Sequence, residues 1–148
     1  MNILISINHP AHVHFFKNFI YKLNEKKHKI VIVARDKEMT LNLLDAYNLK
    51  NILLTKKKKT FWGSVLELVS YQFKLFNILK KYNIEVSMSI GGTFVAHVSK
   101  FIGIPSLCFY DTENANLQNF FTYPFCTKVI TPECYEKKIS KNQVHYNS

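Results

Sequence analysis

Short apolar runs alternate with longer stretches of helical period along almost the whole 148-residue chain, and this alternation constrains the fold more than any other feature. The runs at 2–7, 29–34, 51–54, 85–90, 104–109 and 128–131 are short and apolar, as strands buried on both faces of a parallel sheet must be. Between them apolar residues recur at spacings of three and four. Val13, Phe16, Phe19, Ile20 and Leu23 do so from 12 to about 27, followed by Leu41, Leu44 and Tyr47, then a long aromatic stretch over 61–82, then 93–101. Strands alternating with helices imply βαβ units with right-handed crossovers. The expected fold is therefore α/β: a doubly wound, Rossmann-like parallel sheet of about six strands, helices on both faces, the first strand interior. Asp36 is placed to cap the second helix. No repeat or Gly/Ser linker divides the chain, so residues 1–148 are expected to form one domain.

A hydrophobic content of 47% excludes a disordered chain, and no apolar run approaches the roughly 20 residues that span a bilayer. The first residues lack the basic region and cleavage site of a secretory signal, so a soluble, cytoplasmic protein is expected. Three cysteines, Cys108, Cys126 and Cys134, form no C-x-x-C pair and argue against a disulfide framework or a zinc site. The formal net charge of +10 comes almost wholly from lysine, and Arg35 is the single arginine. Base readout relies on bidentate arginine, so sequence-specific nucleic-acid binding is disfavoured. A solvated basic surface and attraction to an anionic partner (a nucleotide, a phospholipid, a phosphorylated acceptor) both remain open.

In a doubly wound sheet, ligands bind outside the carboxyl ends of the strands at the switch point, here between the first and fourth strands. The residues just after each strand are the ones to weigh. After the first come Asn8, His9, His12 and His14; after the second, Arg35; after the fourth, Gly91, Gly92 and Thr93; after the fifth, Asp111, Glu113 and Asn116. His12 and His14 are two apart and point to different sides of a helix, so a metal site is not expected. The histidines either cap the helix or place His12 at the crevice as a base or a hydrogen-bond donor. Gly91-Gly92 is either a plain tight turn or one that brings amides at a helix N-terminus close to a ligand. Neither a G-x-G-x-x-G nor a P-loop pattern occurs, so no nucleotide cofactor is expected. The polar density over 110–119 exceeds what a turn requires and reads as a ligand-facing loop. Lys56, Lys57, Lys58 and Lys59 precede an aromatic stretch that includes Phe61, Trp62, Val65, Leu66, Val69, Phe73 and Phe76. This is a core helix behind a solvated loop, or a helix in weak contact with an anionic membrane surface.

The stretch from Asn8 to Phe16, the Ala34-Arg35-Asp36 junction, Gly91-Gly92, the run Asp111 to Ala115 and Thr131-Pro132-Glu133 together resemble the family called domain of unknown function 354. That family is similar, distantly, to UDP-N-acetylglucosamine 2-epimerases and to the N-acetylglucosaminyltransferase of peptidoglycan synthesis. The resemblance implies the N-terminal, acceptor-side half of a GT-B architecture, with His12 near the acceptor and Glu113 in a loop that carries a functional glutamate in the epimerases. Gly91-Gly92-Thr93 stands where the epimerases have a Gly-Asp-Thr-like turn, without the acidic residue.

The expectation is thus an acceptor-side domain of a nucleotide-sugar enzyme, transferase before epimerase. Its nucleotide-binding C-terminal domain would be absent, and the chain inert alone. A second GT-B domain or a homo-oligomer would complete it. The alternatives are a non-catalytic sugar- or phosphate-binding module, an epimerase-like half-enzyme, or a basic surface-binding protein.

Overall fold

The structure, a computed structural model, describes residues 1–37, 39–56, 61–110, 120–136, 138 and 140–147. In chain order the elements are β1 (Asn2–Ile7), α1 (Pro10–Glu25), β2 (Lys29–Asp36), α2 (Thr40–Ala46), β3 (Asn51–Lys56), α3 (Phe61–Lys81), β4 (Val86–Ile90), α4 (Thr93–Ile102), β5 (Ser106–Phe109), β6 (Lys128–Pro132) and β7 (Gln143–Tyr146). A short 3-10 turn, Tyr123–Phe125, precedes β6. The strands form one sheet in the order β3-β2-β1-β4-β5-β6-β7, and every pairing is parallel. β1 is interior, and the strand order reverses between it and β4, as the alternation implies.

The period-two alternation of β1 divides the core. Ile3, Ile5 and Ile7 face α1 and α2, packing with Val13, Phe16, Ile20 and Leu44. Leu4 faces the other way, toward Tyr71, Leu75 and Leu79 of α3 and Val95 and Val98 of α4. Helices thus cover both faces, and each fully buried aliphatic side chain contributes about 1.5–3 kcal/mol.

Two expectations need correction. β7 was missed because its residues Gln143, Val144, His145 and Tyr146 sit at the sheet edge and are largely accessible, so they lack a buried strand's apolar signature. Asp36 does not cap α2. It is the last residue of β2, paired with Lys56, and α2 begins after Met39 without a side-chain cap. β2 and β3 continue their pairing past a bulge. The register shifts between Ala34 and Arg35, so Ala34 pairs with Leu53 but Arg35 with Thr55. Adjacent residues Leu54 and Thr55 then both turn toward α3, Leu54 into its core and Thr55 onto Glu67.

Candidate functional site

A cleft of about 230 Å³ opens at the carboxyl ends of β1, β2 and β4, between them and the helices α3 and α4. Asn8, Arg35, Glu67, Tyr71 and the segment from Gly91 to Val95 line it. One wall is an ion pair. Nε and Nη2 of Arg35 donate to Oε1 of Glu67 at 2.8 and 2.7 Å, and Thr55 Oγ1 donates to the same oxygen at 3.0 Å. The Glu67 side chain is 2% exposed, so the guanidinium offsets the cost of burying that charge.

One helical turn beyond Glu67, the Tyr71 hydroxyl lies 3.1 Å from Ser6 Oγ, which accepts from Asn8 Nδ2 at 3.3 Å. Burial pushes the Tyr71 phenol above its ordinary value, against smaller opposing effects of Ser6, Asn8 and the Arg35 charge. It remains a protonated donor at neutral pH. The carbonyl oxygen of the Asn8 side chain is buried with no hydrogen-bond partner, an acceptor at the edge of the cleft.

The opposite wall is the start of α4. Gly91 has φ +54°, the left-handed region that glycine enters at least cost. Its N–H donates to the Phe109 carbonyl, which ties the turn to β5. Gly92 is required for another reason: a Cβ there would overlap the Ser89 side chain. The Gly91-Gly92 turn therefore meets the cleft as bare backbone at the positive end of α4, a setting that favours an anion or a polar oxygen. Thr93 Oγ1 is held 2.6 Å from Thr122 Oγ1.

Of the residues expected from sequence, the structure thus brings Asn8, Arg35, Gly91, Gly92 and Thr93 to one cleft. His12 lies beside it, on the α1 side of the sheet edge. The Asn8 backbone N–H donates to His12 Nδ1 at 3.4 Å, which leaves the neutral ring's proton on Nε2. His9 caps α1, accepting from the Ala11 N–H at 3.2 Å, with Pro10 in the first helical position. His14 packs its ring edge-on against Tyr47, 5.9 Å between centroids, away from the cleft. Asp111, Glu113 and Asn116 lie outside the described residues, as do the side chains of Phe61 and Trp62. Among the described residues no three His, Cys, Asp or Glu side chains are grouped to hold a metal ion.

Glu67 and Tyr71 were not singled out from sequence. A signal existed: Glu67 is the sole acidic residue between Asp45 and Glu85, set among Val65, Leu66, Leu68 and Val69. A lone carboxylate inside an apolar helix needs a buried partner.

The family model described as "Protein of unknown function (DUF354)" matches residues 1–147. The chain belongs to that family. An uncharacterized protein of Methanocaldococcus jannaschii, MJ0665, is 21% identical over 132 residues, 89% of this chain and 39% of that protein. Among solved structures, Acinetobacter baumannii MurG superposes with a TM-score of 0.78 at 13% identity, over 97% of this chain and 44% of its own. A UDP-N-acetylglucosamine 2-epimerase gives 0.73 at 11% identity, over 98% and 47%. The spinosyn rhamnosyltransferase SpnG, complexed with thymidine diphosphate, gives 0.70 at 9% identity, over 98% and 49%. These likenesses establish the fold of this DUF354 chain as the Rossmann-like half of GT-B proteins. The chain spans less than half the length of each.

Proposed function

We propose that this chain is the N-terminal, acceptor-side domain of a GT-B-like nucleotide-sugar enzyme, a glycosyltransferase before an epimerase. The observation that carries the reading is the cleft at the β1/β4 switch point, built on the half-fold shared with MurG and SpnG. Its wall offers what a hydroxylated acceptor needs: the Tyr71 hydroxyl and the unpartnered Asn8 oxygen. In this reading His12 presents a base or a hydrogen-bond donor to the acceptor from the first loop, and Glu113 is the second candidate catalytic residue. The α4 N-terminus stabilises negative charge that develops on the departing diphosphate.

Transferase is favoured over epimerase by Gly92. The epimerase-like turn calls for an acidic residue there, and the Ser89 side chain occupies the space any side chain would need. A second, nucleotide-holding domain completes the site, because catalysis in a two-domain cleft depends on holding donor and acceptor in register.

Calorimetry of the 148-residue chain with UDP-N-acetylglucosamine and ATP tests this. The chain alone is expected to bind both weakly, without distinguishing them, and to release no UDP. Supplying a second Rossmann-like domain encoded beside it is expected to restore UDP release, reduced at least tenfold by His12→Ala. Selective micromolar binding of the UDP-sugar by the chain alone would overturn the assignment as an acceptor-side half.

A further inference from the structure

On the far side of α3 from the cleft core, the helix shows solvent an apolar stripe. Glu67, Tyr71, Leu75 and Leu79 recur every four residues and face the sheet. Leu66, Val69 and Phe73 face outward at 67%, 62% and 68% exposure, where a core-packed helix ordinarily carries polar residues. The neighbouring α4 adds Phe101 at 82%, its ring 6.3 Å from that of Phe76. Between the two helices runs an open groove of about 600 Å³, closed at one end by Phe125, which packs on His97 at 4.1 Å between ring centroids. Phe121, also exposed, lies next to His97, with its carbonyl 2.7 Å from His97 Nε2.

The rim of this patch is cationic. Lys80, Lys81 and Lys100 are exposed at its lower end, and Lys80 Nζ stands 4.5 Å over the Phe76 ring. No carboxylate opposes them on either helix. The one acidic residue of α3 is Glu67, buried against Arg35, and α4 contains none.

We infer that this face of α3 and α4 seats the protein peripherally on an anionic lipid surface. The charge pattern selects the occupant. A second copy docked face to face would set the same lysines against each other, whereas anionic headgroups neutralise them while the aromatic rings enter the headgroup boundary. The contact is shallow, since no described helix is long and apolar enough to cross a membrane. It is distinct from the cleft, with which the groove shares no lining residue.

Co-sedimentation of the whole chain with vesicles tests the inference. Binding is expected to vesicles of equal parts phosphatidylcholine and phosphatidylserine, not to phosphatidylcholine alone, and to fade as salt is raised. Phe73→Ser with Phe101→Ser should weaken it at least tenfold. Lys80→Glu with Lys81→Glu should weaken it at least fivefold for each charge reversed. Both pairs are exposed, so each variant should keep the parent's far-ultraviolet circular dichroism, with the lysine pair melting slightly lower for the loss of two cations from the last turn of α3. The control is Lys22→Glu with Lys26→Glu at the end of α1, across the sheet, which should change binding less than twofold. Equal loss in that control would mean that overall charge alone drives adsorption, and the docking face would be refuted. Absence of binding, or a dimer dissolved by the two serine changes with no vesicle binding, refutes it as well.

Discussion

At Glu67 one carboxylate oxygen collects the Arg35 guanidinium and the Thr55 hydroxyl, and the side chain is almost wholly buried. Removing the guanidinium keeps the burial cost while withdrawing the charge that offsets it. Arg35→Met is expected to lower stability by about 3 kcal/mol, at the low end for a buried pair because the Arg35 side chain is 28% exposed. Arg35→Met with Glu67→Leu should recover most of that, since apolar replacement of both partners is often neutral. Urea unfolding of the three variants measures it. A single-variant loss within about 0.5 kcal/mol, the range of an ordinary surface change, would show that the pair contributes little. Gly92 offers a steric counterpart. Gly92→Ala should cost about 1–3 kcal/mol through overlap with Ser89, and Ser89→Gly in the same chain should return part of it.

The four described helices end alike. After α1, the N–H of His28 reaches the Leu23 carbonyl and that of Lys27 the Asn24 carbonyl; the same pair of bonds recurs at Leu49 and Asn48, at Ile84 and Asn83, and at Ile104 and Gly103. Each is a Schellman closure with its penultimate residue at positive φ: Lys27 at 59°, Asn48 at 54°, Asn83 at 47° and Gly103 at 84°. Lysine is the misfit, because its Cβ crowds the backbone there. Lys27→Gly is expected to raise stability by about 1 kcal/mol and the melting temperature with it. An unchanged or lowered melting temperature would mean that glycine's entropy in the unfolded chain outweighs the relief. At this scale the sequence was most informative. Periodicity and apolar runs point to six of the seven described strands and to all four described helices, because each of those elements buries a face that composition records. β7 escaped because it is an exposed edge, and the Arg35/Thr55 bulge because a register shift leaves no mark in apolar pattern. The cleft was legible where strand ends supply its residues, at Asn8, Arg35 and Gly91 to Thr93. It was illegible where a helix side supplies them, since Glu67 and Tyr71 sit inside a stretch whose apolar period hides what faces the sheet edge.

Across the whole molecule, buried phenols link folding to alkaline pH. Tyr71 lies on the buried face of α3, and Tyr110 just after β5 in the cluster with Cys108, Cys126 and Val129. Burial pushes both phenols above the ordinary value near 10, and for Tyr110 the upward push is large. Tyr123, edge-on to Tyr110 at 4.8 Å between centroids, is raised in the same direction for the same reason. Below about pH 10 the phenols are protonated in folded and unfolded chains alike, and this contribution to stability is fully present. Above it the unfolded chain releases protons that the folded chain retains. Stability then falls, by about 1.4 kcal/mol per pH unit for each phenol so held, until the folded values are reached. Phenolate absorbance followed against pH is therefore expected to show a late, cooperative step from the buried phenols that coincides with loss of helical circular dichroism. Tyr110→Phe separates this from lysine neutralisation. The Tyr110 hydroxyl is buried and makes no well-formed hydrogen bond, Thr122 being a weak partner, so its removal should cost little at neutral pH and should move the alkaline midpoint upward. A midpoint that stays in place, or buried phenols that titrate near pH 10 with the helices intact, would mean that the strand ends around Tyr71 and Tyr110 open to solvent without unfolding the sheet.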